Sequence, residues 1–191
     1  EWMSPQPNTS LIDVASGTGD LALIHSKRMG NRCQISCVEP NNEMLSVGRN
    51  KSKNFKNISW YLASAEKLPF KNDMFDFYII SFGIRNVLDI NLTLKEAFRV
   101  LKTGGRFMCL EFSKVENPFF RSLYKNYSKL IPKIGKKIVG SSEPYDYLIK
   151  SINKFYNQQE LLDLIKKNGF SNTSYRNLSN GIAAIHSGWK V

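Results

Sequence analysis

A glycine-rich loop is the first feature of this sequence that could do chemistry. The run Gly17-Thr18-Gly19-Asp20-Leu21-Ala22 follows an apolar segment and precedes a helical pattern, and it fits G-x-G-x-x-A. Glycines let the backbone of such a loop approach a ligand closely, and an acidic residue about 20 positions later accepts the ribose hydroxyls. Glu39 stands at that distance from Gly19. The spacing therefore predicts a site for an adenosine-bearing cofactor.

Acidic residues beside the loop bear on which cofactor that is. Asp13 lies inside the first predicted strand, where a buried carboxylate needs loop amides or a cationic ligand as partners. Asp20 opens the following helix, where its charge would repel a pyrophosphate but suit an ammonium or a sulfonium. These features favour S-adenosylmethionine over a nicotinamide dinucleotide. Bracing of the loop alone remains an alternative role for Asp13.

Alternating strands and helices must position these residues. Apolar runs predict strands at 11–14, 35–38, 58–62, 75–82 and 106–112, and helical patterns between them cover 21–29, a helix capped by Asn42, and 92–101. Strands that alternate with helices indicate an α/β fold with a parallel sheet and right-handed crossovers. Later strands at 172–178 and 182–186, joined by Asn180-Gly181, predict a C-terminal antiparallel hairpin.

The composition is that of an ordinary globular domain. The chain has 191 residues, 42% hydrophobic and 23% charged, which excludes disorder, collagen and coiled coil as descriptions of the whole chain. Cys33, Cys37 and Cys109, with no signal peptide visible, predict packed reduced thiols in a cytoplasmic protein and no metal site. The net charge of +11 favours nucleic acid, anionic lipid or an acidic ligand, although a general bias toward Lys and Asn explains it equally well.

A basic stripe marks the region after the fifth strand. Residues 119–138 predict a helix whose basic residues recur every four positions with no acidic residue between them: Arg121, Lys125, Lys129, Lys133 and Lys137. Such a stripe suits an interfacial helix on anionic lipid, so we expect peripheral contact with the inner face of a membrane. An ordinary solvated face is the alternative. A loop over 135–146 and a helix over 158–168 are expected next.

Two further sequence motifs resemble those of a known protein family. These are Ser81-Phe82-Gly83-Ile84-Arg85-Asn86-Val87 and Leu110-Glu111-Phe112-Ser113, followed by matching positions between 175 and 190. Together with the glycine loop they resemble the C-methyltransferases of ubiquinone and menaquinone biosynthesis, a family of class I S-adenosylmethionine-dependent methyltransferases. The resemblance runs from about residue 11 to residue 191. It implies methylation of a ring carbon on a polyprenyl quinol.

The resemblance also implies the architecture. We expect a single domain over residues 1–191, with a Rossmann-like seven-stranded, mostly parallel sheet and helices on both faces. A helical insertion is expected at about 114–157, and most of the family's helical N-terminal segment is absent from this sequence. A homodimer is among the arrangements that stay open.

Site residues follow from the matching positions. Those matching cofactor contacts of the family are Thr18, Glu39, Ser64, Ala65 and Ser81, and the loop reasoning adds Asp13, Gly17 and Gly19. Three positions depart from the family pattern. Ser16-Gly17 replaces Gly-Gly, Glu39 replaces the usual Asp, and Ser64 stands where Asn is frequent. The longer side chain of Glu39 is expected to alter the geometry at the ribose.

Arg85 and Asn86 are the candidate catalytic residues. A ring carbon becomes nucleophilic when a neighbouring hydroxyl ionises, and Arg85 can donate a hydrogen bond to the developing phenolate. Arg85 cannot accept the proton, because the pKa of a guanidinium exceeds about 12. Asn86 could orient a water or a ring oxygen. A structural ion pair of Arg85 with Asp89 or Glu111 is the alternative.

Other candidates are weaker. We expect His186 to be a packed or surface residue rather than the base, and Tyr145 and Asp146 are secondary candidates for the substrate cleft. Two other functions stay open: methyl transfer to a different small acceptor, and nucleic-acid binding suggested by the charge. No recognition helix or aromatic-basic motif stands out, so nucleic acid is not an expected partner.

Overall fold

One sheet organises the described part of the chain. The computed structural model describes Trp2, residues 6–115 and residues 143–191, apart from the side chains of Pro144 and Tyr145. Within these residues the strands are β1 (Ser10–Val14), β2 (Gln34–Val38), β3 (Ile58–Tyr61), β4 (Phe75–Ser81), β5 (Leu101–Phe112), β6 (Ser171–Leu178) and β7 (Ala183–Trp189). The helices are α1 (Asp20–Arg28), α2 (Asn42–Lys51), α3 (Ile90–Val100), α4 (Glu143–Lys154) and α5 (Gln158–Lys167). The expected basic helix over 119–138 lies outside the described residues.

The order of the seven strands confirms the predicted α/β class. It is β3-β2-β1-β4-β5-β7-β6. The first five strands are parallel, and β7 runs antiparallel to both β5 and β6. The chain reverses its direction of travel across the sheet between β1 and β4. In sheets of this kind a crevice opens at such a point, outside the carboxyl ends of the strands.

Two apolar layers cover the sheet, as alternation along the strands requires. On one face, Ile12 and Val14 of β1 join a cluster that includes Leu94 of α3 and Ile165 of α5. On the other face, Leu11 of β1 packs with Ala22 of α1, Ile35 and Phe77. Helices therefore lie on both faces, and Asp13 is a buried polar residue between Ile12 and Val14, which both belong to the core.

Two local predictions about helix boundaries were wrong. Asn41, not Asn42, caps α2, because the extended Asn41 lets its Oδ1 accept from the amides of Glu43 and Met44 at 2.9 and 3.1 Å. The loop expected over 135–146 ends early, since α4 begins at Glu143.

The predicted C-terminal hairpin is confirmed. Its connection is a short 3-10 turn in which Asn180 and Gly181 both adopt positive φ, at 56° and 89°.

The three cysteines are packed in the core as predicted. Cys33, Cys37 and Cys109 are buried, and each is a free thiol. Among the described residues, no group of three or more His, Cys, Asp or Glu side chains is arranged to hold a metal ion. In the same part of the chain, no helix combines the length and the apolar character needed to cross a bilayer.

Candidate active site

A cleft of about 670 Å³ opens outside the carboxyl ends of β1 and β4, where the chain reverses its direction across the sheet. Its volume lies in the range of about 300–1,000 Å³ that is typical of small-molecule sites. The lining residues are Asp13, Ala15, Ser16, Gly17, Thr18, Asp20, Leu21, Glu39, Pro40, Met44, Ser64, Ala65, Glu66, Ser81, Phe82, Gly83, Asn86, Val87 and Leu88. Every predicted site residue except Gly19 and Arg85 therefore lines this cleft.

Glu39 is fixed at the carboxyl end of β2 by the backbone on both sides. Its Oε2 accepts from the amide of Gly17 at 2.8 Å, and its Oε1 accepts from the amide of Asn41 at 2.9 Å. A carboxylate oxygen has a second lone pair, so each oxygen can still accept a hydroxyl from a ligand in the cleft.

The cleft is acidic in a strongly basic chain. Asp13, Asp20, Glu39 and Glu66 line it, and no Lys or Arg is among the described residues that do so. Such a wall repels a pyrophosphate and attracts a cation. A ligand with a sulfonium, an ammonium and two ribose hydroxyls therefore fits the donor and acceptor set.

Asp13 is the most buried of these carboxyl groups. Its side chain is 1% exposed, and its Oδ2 has no hydrogen-bond partner among the described residues. Burial raises the pKa of Asp13 to about 7, opposed by a hydrogen bond from Ser16 and reinforced by the charge of Glu39. An unpartnered buried acceptor at the floor of the cleft fits a cationic ligand better than loop bracing alone.

The glycine loop is held against α2 by packing. Gly19 caps α1 in the left-handed conformation, with φ at 78°, and a Cβ built on it would stand 2.6 Å from the ring of Trp60. A Cβ on Gly48 of α2 would also collide with that ring. The indole Nε1 donates to Ser52 at 2.9 Å. Gly19 therefore shapes the site by packing against Trp60 and not by lining the cleft.

An exposed ion pair ties the loop to the end of α2. Lys51 Nζ donates to Thr18 Oγ1 at 2.8 Å and to Asp20 Oδ1 at 3.0 Å, and the Thr18 hydroxyl donates to Asp20 at 2.8 Å. These hydrogen bonds, first from Lys51 and then from Thr18, lower the pKa of Asp20. Lys51 thus offsets part of the charge that the sequence places at the start of α1.

Arg85 lies in a 3-10 turn, Ile84–Asn86, that follows β4. Its Nη1 donates to Glu111 Oε1 at 2.7 Å and to the carbonyl of Phe82 at 2.6 Å. The two ionic side chains are 9% and 1% exposed. Burial raises the pKa of Glu111 despite the opposing charge of Arg85. Of the two partners left open, the structure selects Glu111, and Asp89 instead caps α3.

A second cavity of about 450 Å³ lies on the other side of this turn. Arg85 lines it together with Ile90 and one face of α4, including Tyr147 and Lys150. The hydroxyl of Tyr147 donates to Asn86 Oδ1 at 3.1 Å. The turn Ile84–Asn86 therefore separates the two cavities, with Asn86 in the wall of the first and Arg85 in the wall of the second.

The secondary candidates have different positions. His186 is buried on β7, with Nε2 2.8 Å from the carbonyl oxygen of Gln158, and burial lowers its pKa. Asp146 is half-buried on α4, but Tyr147 beside it is the residue that lines the second cavity. The side chain of Tyr145 lies outside the described residues.

Several site residues carry no local sequence signal. Glu66 accepts from the amide of Leu88 at 2.7 Å and so holds the segment after the turn against the loop after β3. Trp60, Lys51 and Tyr147 also act across long stretches of chain. Glu66 is the exception, because it is acidic and directly follows Ala65, which was already predicted as a cofactor contact.

Solved structures show the same fold. An S-adenosylmethionine-dependent methyltransferase from Aquifex aeolicus has a TM-score of 0.72 at 16% identity, covering 100% of this chain and 86% of that one. A Haemonchus contortus phosphoethanolamine N-methyltransferase, solved with S-adenosylhomocysteine, has a TM-score of 0.74 at 13% identity, covering 99% and 50%. The described part of the chain therefore has the fold of class I S-adenosylmethionine-dependent methyltransferases.

The sequence comparison narrows the class to one family. The chain belongs to the ubiE/COQ5 methyltransferase family, whose profile matches residues 1–190. The ubiquinone/menaquinone biosynthesis C-methyltransferase of Rickettsia felis is 48% identical over 194 residues, spanning 98% of this chain and 78% of that protein. The enzyme of the same name from Brucella abortus is 46% identical over 196 residues, spanning 100% and 73%.

Glu39 offers a direct test of the cofactor site. Replacement of Glu39 by glutamine should raise the Kd for S-adenosylmethionine about 10- to 100-fold, the range expected for a lost hydrogen bond to a charged group. The amide would also set an N–H against a backbone N–H of Gly17 or Asn41. Isothermal titration calorimetry measures the change. Glu43→Gln, at an exposed position of α2, is the matched control and should bind as the wild type does.

Proposed function

We infer that this chain transfers the methyl group of S-adenosylmethionine to a ring carbon of a polyprenyl benzoquinol or naphthoquinol, in the biosynthesis of ubiquinone or menaquinone. Membership of the family carries the inference, because relatives matching nearly the whole chain bear the name of that activity. The acidic cleft supports it independently. A site with carboxylates and, in the part of the chain that the structure describes, no lining Lys or Arg suits a cationic methyl donor.

The chain's own residues divide the binding work. S-adenosylmethionine, when bound, supplies an electrophilic methyl group on a cationic sulfur. Glu39 would accept the ribose hydroxyls, and Asp13 would face positive charge from the floor of the cleft. Gly17 leaves its backbone open to a ligand, because a Cβ built on it meets nothing within 4 Å. Thr18, Ser64, Ala65 and Ser81 line the same cleft as further contacts.

The turn after β4 would act on the acceptor. A quinol carbon attacks well only when the neighbouring hydroxyl gives up its proton, so negative charge builds on that oxygen. Arg85 uses Nη1 for Glu111 and Phe82, its Nε is buried, and the rest of its side chain lines the second cavity. A guanidinium with donors to spare can stabilise the phenolate. Asn86 lines the cleft and would offer its amide to the acceptor from the other side of the turn.

Product analysis tests the assignment. The purified protein is mixed with radiolabelled S-adenosylmethionine and either a prenylated benzoquinol or a prenylated naphthoquinol, both kept reduced in detergent micelles. We expect label and the mass of one CH₂ group in at least one quinol product. Structured RNA serves as the competing acceptor. Cofactor binding without transfer to either quinol would contradict the assignment.

The proposed acceptor also implies contact with a membrane. The acceptor carries a polyprenyl tail that dissolves in the bilayer, so the enzyme must meet it there. The net charge of +11 supports attraction to anionic lipid, and the apolar side chain of Leu88, at the rim of the cleft, is 99% exposed. We therefore expect a cytoplasmic protein that binds the inner face of the membrane peripherally. A homodimer stays a prediction, to be checked by sedimentation velocity.

Vesicle flotation measures this contact. The triple variant Lys125→Gln, Lys129→Gln, Lys133→Gln should bind anionic vesicles about tenfold or more weakly, since each basic residue near the surface is worth about 1 kcal/mol. A matched triple variant removes the same charge elsewhere, at Lys53, Lys56 and Lys71. Binding equal to wild type in the first variant, or equal loss in both, would contradict a specific role for the basic stripe.

A further inference from the structure

The hydrogen bond between Tyr147 and Asn86 joins α4 to the reactive end of the sheet. We propose that Tyr147 is a positioning residue for methyl transfer: its hydroxyl fixes the Asn86 amide so that the N–H donors, and not the carbonyl oxygen, face the acceptor. The proposal rests on the proposed function, because it assigns a role in stabilising the acceptor oxygen. The 3.1 Å contact from Tyr147 Oη to Asn86 Oδ1 carries it.

Asn86 stands where such control would matter. It is the last residue of the 3-10 turn after β4, and it lines the cleft, whereas its partner Tyr147 lines the second cavity. Its backbone N–H is already used, donating to the carbonyl of Gly83 at 3.0 Å. The side-chain amide is therefore the group that Asn86 can offer to a ligand in the cleft.

An asparagine amide has two chemically opposite ends. The carbonyl oxygen accepts hydrogen bonds and the NH₂ group donates them, so a rotation of half a turn reverses what the residue presents. A tyrosine hydroxyl that donates to Oδ1 holds the oxygen toward α4. The NH₂ group is then the end available to the acceptor, and a donor there stabilises a developing phenolate while an oxygen would repel it.

The fold holds Tyr147 in place for this contact. Ile152 and Phe155 anchor the end of α4 and the residue after it in the core, each 7% exposed. Tyr147 lies on the face of α4 that lines the second cavity, as do Ser151 and Lys154 one and two turns later. The Tyr147 side chain is 59% exposed and so has no role in the core that would itself require a tyrosine.

Removal of one oxygen atom tests the inference. In Tyr147→Phe the ring stays and only the hydroxyl is lost, so kcat for quinol methylation should fall about tenfold. The Kd for S-adenosylmethionine and the KM for the quinol should change by less than about twofold, because the amide remains in place. The rising limb of kcat against pH should move to higher pH, since ionisation of the quinol is less assisted. A merely structural hydrogen bond would move neither kcat nor this limb.

A matched control and a double variant complete the experiment. Tyr156 lines the same cavity without a hydrogen bond to the turn, so Tyr156→Phe should leave kcat unchanged. In an Asn86→Ala background, Tyr147→Phe should cost less than about twofold more, because the two side chains act as one unit. If the losses in kcat of the two single variants multiply in the double variant, the inference is wrong. It is also wrong if Tyr147→Phe is as active as wild type. Either result would leave the proposed function standing. Absence of quinol methylation by the wild type would overturn the proposed function and this inference with it.

Discussion

Replacement of Arg85 by methionine should lower the free energy of unfolding by about 3–5 kcal/mol, the cost of leaving one partner of a buried ion pair unpaired. Glu111 is 1% exposed and accepts from Arg85 at 2.7 Å, so the variant would bury its carboxylate without a counter-charge. Burial already raises the pKa of Glu111, and loss of the guanidinium removes the main effect that lowers it. The destabilisation should therefore be larger at high pH, where Glu111 must ionise or stay protonated at a cost. Urea titrations at two pH values measure it.

A second substitution separates the two roles of Arg85. In Arg85→Met with Glu111→Leu, both charges are gone, so part of the lost stability should return. The return should be incomplete, because the backbone amides of Arg85 and Phe112 lose Glu111 as their acceptor. Methyl transfer should stay at least about 100-fold below wild type if the guanidinium stabilises the acceptor oxygen. Recovery of activity with stability would show instead that Arg85 serves the fold alone.

An exposed ion pair provides the reference for this effect. Lys102 Nζ contacts Asp76 at 2.9 Å, and the two side chains are 44% and 30% exposed. Lys102→Met should cost less than about 1 kcal/mol, because solvent screens the pair and water can hydrate the remaining carboxylate of Asp76. A loss comparable to that of Arg85→Met would mean that burial does not govern the energetics of the Arg85–Glu111 pair.

Local spacing was enough to predict the glycine loop and its acidic partner. Parallel pairing aligns Val14 of β1 with Val38 of β2, so the residues after both strands meet at one edge of the sheet. Glu39 follows β2 directly, and its contact with Gly17 is a consequence of that register. A contact between residues that follow neighbouring strands can therefore be predicted from the strand pattern alone.

Contacts that depend on strand order or on distant packing were not predictable in this way. The partner of Arg85 stayed open between Asp89 and Glu111, because only the pairing of β4 with β5, which aligns Ser81 with Leu110, sets Glu111 beside the turn. Tyr147 and Asn86 are 61 residues apart in sequence. The local sequence around either residue gives no indication of the other, so only the tertiary structure reveals their hydrogen bond.

The stability of the wild type should carry a pH dependence that comes from Asp13. Its pKa is about 7 in the fold and 3.8 in a model peptide, so between these values the folded state holds a proton that the unfolded state releases. Stability from this group is complete below about pH 4 and is lost as the pH rises through 7, by up to about 4 kcal/mol in total. The sign is opposite to that of a salt-bridged carboxylate.

Asp13→Asn isolates this contribution. The amide has the same shape but does not titrate, so the difference in unfolding free energy between wild type and variant should change by about 3–4 kcal/mol between pH 4 and pH 8. The lowered pKa values of His25 and His186 add a dependence of the opposite sign, but they are common to both proteins and cancel in the difference. A difference that does not vary with pH would show that Asp13 titrates normally.

Binding of the cofactor should also be linked to the protonation of Asp13. A cation beside Asp13 favours its ionised form, so binding of S-adenosylmethionine near pH 6 should release up to about one proton and grow tighter toward pH 8. Calorimetric titration in two buffers of different ionisation enthalpy measures the released protons. Asp13→Asn should release fewer protons and bind with little pH dependence. Equal proton release in both proteins would place the linkage on another group. Its loss in the variant would make the buried carboxyl of Asp13 the element that couples cofactor charge to the stability of the fold.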